Sequence, residues 1–68
     1  MKKLDLIVNE KIGSVVAYIM NQGFNPCELI KDGKKEYFFE KNNKHYILNK
    51  VISSDSYILK IVLNEIDV

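Results

Sequence analysis

Residues 36–48, EYFFEKNNKHYIL, set four aromatic side chains and a histidine around an Asn-Asn pair. Two β-rich runs separated by two turn-forming residues read as a hairpin with Asn42-Asn43 as its loop. On that register Glu40 faces His45, Phe39 faces Tyr46, Phe38 faces Ile47 and Tyr37 faces Leu48. Side chains alternate faces along a strand. One face therefore collects Tyr37, Phe39, Tyr46 and Leu48, and the other collects Glu36, Phe38, Glu40, His45, Ile47 and Asn49.

The run SSDS at 53–56 supplies a second turn. Placed at Ser54-Asp55, it sets Ile52 opposite Tyr57, Leu48 opposite Ile61 and Tyr46 opposite Leu63. The first face then gains Ile52, Tyr57, Leu59, Ile61 and Leu63. A three-residue loop at 31–33, with Gly33 in the left-handed position, adds Cys27 and Leu29. Independently placed turns that gather apolar side chains on one face identify that face as core.

Upstream the pattern is helical. Val8, Ile12, Val15, Val16, Ile19 and Met20 form one apolar stripe, with Lys11, Ser14, Asn21 and Gln22 on the wet side. Asn9 serves as N-cap, and Gly23 stands at the left-handed C′ position with Phe24 as the apolar contact after it. Gly13 weakens such a helix by about 1 kcal/mol relative to Ala. Residues 3–8 fit either a short strand or an early turn of the same helix. The residue before Pro26 avoids the α region, which ends any helical continuation. The expected fold is α+β: an N-terminal amphipathic helix over about 9–22 packed on a three- to four-stranded antiparallel meander over about 27–64, in a single domain.

Composition narrows the possible functions. A chain of 68 residues buries only about 60% of the surface its unfolded form exposes. The one cysteine, Cys27, cannot pair within the chain, and with one histidine no metal-ligand spacing exists. No cofactor or metal site is expected. An apolar fraction of 47% and a net charge of +1 suit a globular domain. The longest apolar run, 15–20, is far short of the ~20 residues of a membrane span, and Asp5, Asn9 and Glu10 interrupt any signal-peptide core. A cytoplasmic protein is expected, with no membrane partner. All ten basic residues are lysine, and Ile, Asn and Tyr are abundant, as in an AT-rich coding sequence of a low-GC bacterium or its phage.

VVAYIMNQGF (15–24) followed by EYFFE (36–40) resembles a loose family of short, uncharacterised phage and prophage proteins of Firmicutes. The resemblance covers residues 4–40. It implies a helix packed on a small sheet and a mobile-element origin, and it supplies no activity. It also implies a helix after the acid, so that 43–52 is open between helix and strand. The β-branched and aromatic content of 45–63 favours the hairpin.

On the outer face, Phe38, Ile47 and Val62 line up across three strands and Val51 pairs with Ile58. Glu36, Glu40, His45, Asn49, Lys60 and Asn64 surround them. An apolar stripe with a polar rim has the composition of a contact patch. Its occupant is a protein partner, a second copy of the chain, or the chain's own residues 4–8 or 66–68 folded across it. Glu40 opposite His45 could pair an acid with a base, but a complementary cross-strand pair beside a turn is the commoner meaning. Lys41 beside Lys44 and Lys35 beside Lys50 put like charges opposite one another, which an acidic partner, or ordinary snorkelling into solvent, would relieve. The near-neutral balance and the absence of arginine argue against nucleic acid. The functional expectation is a non-enzymatic protein-interaction module, a phage or mobile-element inhibitor or modulator of a host or defence protein of the anti-CRISPR type. Its contact residues are Phe38, Ile47, Val62, Val51, Ile58, Glu40 and His45. A small nucleic-acid-binding regulator and a homodimeric structural protein are the alternatives.

Overall fold

The computed structural model describes residues 2–67, with the side chains of Leu29 and Lys31 outside that description. The elements run β1 (Lys3–Lys11), α1 (Val15–Asn21), β2 (Asn25–Lys31), β3 (Lys34–Lys41), β4 (Lys44–Ser54) and β5 (Tyr57–Ile66). The five strands form one antiparallel sheet in the order β1-β5-β4-β3-β2. The expected α+β domain, with a helix over 9–22 on a meander over 27–64, is therefore corrected. The fold is mostly antiparallel sheet, and its helix is only seven residues long.

The correction begins in residues 3–11. Leu4, Leu6 and Val8 are partly or fully buried while Asp5, Ile7 and Asn9 are exposed, which is the alternation of a strand. That segment becomes β1 and adds to β5, so it does not fold across the outer face. Asn9 is no helix cap. Its φ is 51°, at the point where the register against β5 shifts between Ile7 and Glu10. Ser14 caps the helix instead, its Oγ accepting from the Ala17 N–H at 3.2 Å. The spacing of Val8, Ile12 and Val15 looked helical because all three reach one core from separate elements.

The helix ends as expected. Gly23 has φ 94°, and its N–H donates to the Met20 carbonyl at 3.0 Å. A side chain at that φ would be strained, which accounts for glycine here. Phe24, 2% exposed, enters the core beside Ile19, Ile61 and Leu63, which are all fully buried. Pro26 sits in β2, an outer strand of the sheet, where a missing N–H is tolerated.

Asn42 and Asn43 both have positive φ, 54° and 64°, and close β3 on β4 as a two-residue loop. Residues 43–52 are therefore turn and strand, not helix. The turn before β3 differs from expectation. It is the two-residue Asp32-Gly33, with φ of 54° and 77°, and not a three-residue loop. A register slip of one residue exchanges the faces of a strand. Cys27 consequently lies opposite Phe38 on the outer face, and Pro26 lies opposite Phe39. The side chain of Leu29, expected on the inner face, is outside the described residues.

The last hairpin turns at Asp55-Ser56, one residue later than expected, with Ser54 opposite Tyr57. Its ladder also carries two irregularities, one between Leu48 and Lys50 and one between Ile52 and Ser53. The first inserts Asn49 in β4; the second inserts Leu59 in β5. Each bulge reverses the alternation beyond it. Val51 and Ile58 thus turn inward against the core, while Leu59 and Tyr57 are each 39% exposed.

Candidate functional site

The outer face does not carry the expected stripe. Ile47 lies opposite Asn64, Val62 lies between Asp5 and Lys50, and Phe38 has no partner on β4. Val51 faces Ile61 and Ile58 faces Ser53, so these two do not pair and do not belong to this surface. Val62 is already 3% exposed on β5, an interior strand flanked by β1 and β4. The Asp5 carboxylate beside it receives the Lys60 ammonium at 3.4 Å. What remains outside is Ile47, with Phe38 tilted against the His45 ring at 5.5 Å. Glu40 stands opposite His45 in register, as expected.

Three of the four lysines in the like-charged pairs find partners within the chain. Lys41 donates to the Gln22 carbonyl at 2.8 Å and stands 4.8 Å over the Phe24 ring. Lys44 pairs with Glu65 at 3.5 Å, and Lys35 with Glu28 at 3.3 Å. Beside the Lys44–Glu65 pair an open polar recess of about 300 Å³ is lined by Asn43, His45, Ile66 and Asp67 as well. Among the described residues no group of three or more His, Cys, Asp or Glu is placed to hold a metal.

The feature that the sequence reading missed lies on the inner face. The β3–β4 ladder holds Lys41 to Lys44, Glu40 to His45 and Phe39 to Tyr46, and then stops. Tyr37 and Leu48, the next inward pair, do not meet in register and are 61% and 39% exposed. Two features coincide with the break. The bulge at Asn49 bends β4, and continued pairing would bring Lys35 towards Lys50. That like-charge pairing was the legible signal.

Both turns that bound β3 are two-residue loops, so the pairs flanking them exchange backbone hydrogen bonds and the pattern alternates from there. Lys34, Glu36 and Phe38 bond to β2. Lys35, Tyr37, Phe39 and Lys41 point their backbone groups toward β4. Phe39 and Lys41 meet partners there; Lys35 and Tyr37 do not. Beside this free edge lies an apolar recess of about 280 Å³ between helix and sheet, lined by Val16, Pro26, Tyr37 and Phe39. Val16 and Met20 on the helix are 49% and 45% exposed, and Ile30 on β2 is 68% exposed. Comparison with protein-family models, curated proteins and solved structures returned no match.

Proposed function

We propose that the chain is a non-enzymatic protein-interaction module, and that it binds through the apolar recess on the inner face. The observation that carries this reading is the break after Phe39–Tyr46. Beside it Tyr37 and Leu48 stand exposed, and Tyr37 with Val16, Pro26 and Phe39 lines an entirely apolar recess, although a small domain gains stability by covering such groups. The outer surface is the weaker candidate, because Val62 is covered and Val51 and Ile58 serve the core. A modulator of a host or defence protein, of mobile-element origin, is the role that best joins this surface to the resemblance over residues 4–40. Direct nucleic-acid binding has less support, since Lys35, Lys41, Lys44 and Lys60 are engaged within the chain.

The test is reconstitution with a purified protein captured by the wild-type chain. Val16→Lys and Tyr37→Lys should each weaken that complex at least tenfold, and raising salt from 50 to 200 mM should change it little. An affinity unaffected by both variants rejects this surface. A loss of several orders of magnitude across that salt range would assign binding to phosphate contacts.

A further inference from the structure

The recess and the unpaired edge of β3 are contiguous, and together they define the shape of an occupant. The N–H and C=O groups of Lys35 and Tyr37 that β4 leaves unpaired offer donors and acceptors at strand spacing, as an exposed sheet edge does. A helix cannot pair with them, because its own ladder uses its backbone; an extended segment can. The apolar recess beside Tyr37 takes an apolar side chain from that segment. Lys34 and Lys50, both exposed, stand on β3 and β4 on either side of the break, so acidic residues at the segment's ends are favoured.

We infer that the interaction proposed above is strand addition: an extended segment of a foreign protein, apolar in alternation and flanked by acidic residues, pairs with β3 at Lys35 and Tyr37. This rests on the reading of the recess as the binding surface. The outer edges of the sheet are poorer templates. Pro26 interrupts the donors of β2, and β1 carries the bulge at Asn9 and the charges Lys3, Asp5, Glu10 and Lys11. A second copy could offer β1, but that head-to-tail contact need not close and would chain copies into a polymer.

The experiment uses a synthetic ten-residue peptide of three valines alternating with threonines, with two glutamates at each end. Its controls are the same peptide N-methylated at alternate residues and an isomer with the valines contiguous. Amide exchange by NMR reports each backbone donor, and titration gives the affinity. The alternating peptide should bind and slow exchange at Lys35 and Tyr37 at least tenfold, while the controls bind at least tenfold more weakly. Lys35→Pro removes an N–H that no internal bond uses, so it should preserve the β2–β3 amides and weaken binding at least tenfold. Lys35→Ala, which keeps that N–H, should change binding less than threefold.

Equal binding by Lys35→Pro, or by the N-methylated peptide, overturns strand addition. If Val16→Lys still abolishes binding in that case, the recess reading survives. No binding of the alternating peptide at one millimolar also overturns the inference. So does a concentration-dependent polymer, by light scattering, that protects Lys35 and Tyr37 without peptide, since the occupant is then a second copy.

Discussion

The Lys41 ammonium donates to the Gln22 carbonyl at 2.8 Å, joining the end of β3 to the last turn of the helix. A cation at a helix C-terminus satisfies an orphan carbonyl and complements the helix dipole. The same Nζ lies over the Phe24 ring, which packs T-shaped against Tyr46 at a centroid distance of 5.4 Å. One residue therefore fastens helix, hairpin turn and core in a chain whose helix is too short to hold itself.

Lys41→Ala should destabilise the domain by about 1–2 kcal/mol, combining a partly exposed charged hydrogen bond with a cation–π contact. For a domain of this size that corresponds to a fall in Tm of roughly 4–16 °C. Thermal unfolding followed by circular dichroism checks it, and an unchanged Tm would mean that the contact contributes nothing. Lys44→Ala, whose ion pair with Glu65 is half exposed, should move Tm much less.

The bulge at Leu59 makes a prediction opposite to simple alternation. Ile58→Asp should destabilise by about 2 kcal/mol or more, because it places a carboxylate among core side chains. Leu59→Asp, at an exposed site, should lie within about 1 kcal/mol of wild type. Urea denaturation of the two variants decides the register of β5. The reverse ranking would restore the unbulged hairpin.

Asn43 holds φ 64° in the hairpin loop. Asn43→Gly completes the preferred Asn-Gly pair and should be neutral or slightly stabilising. Asn43→Val should lose about 1–2 kcal/mol, since a β-branched residue resists the left-handed region. Measuring both midpoints tests whether the loop is the two-residue turn seen here.

Ile61 is fully buried on β5, an interior strand, and Ile61→Ala should lose about 2–5 kcal/mol. Against a total of roughly 3–10 kcal/mol for a chain of this length, that variant should be near or past its unfolding threshold at 37 °C. Tyr37→Lys, at a mostly exposed site, should leave the urea midpoint close to wild type. The contrast separates residues that hold the fold from those offered to a partner.

Much of the β region was legible because its information is local. Asn-Asn at 42–43 specified a two-residue loop, and the pairs Glu40–His45 and Phe39–Tyr46 followed from it by counting. Gly23 marked the end of the helix, because only a left-handed position there required it. Phe39, Ile61 and Leu63 were recognisable as core from the agreement of two turns. The lysine pairs showed where partners would be needed. Tertiary structure decided the rest. Period-two alternation in residues 4–8 won over a helical spacing because β5 offered β1 a full ladder, which no isolated pattern reveals. The bulges at Asn49 and Leu59 answer to cross-strand packing, so the inward turn of Val51 and Ile58 could not be counted from the turns. The recess beside Tyr37 forms where Val16 of the helix meets Pro26 of β2 and Tyr37 and Phe39 of β3, elements that only the fold brings together. The parting of β3 from β4 after Tyr46 coincides with the bulge at Asn49 and with lysines at 35 and 50, features spread over two strands that a single strand read alone does not contain.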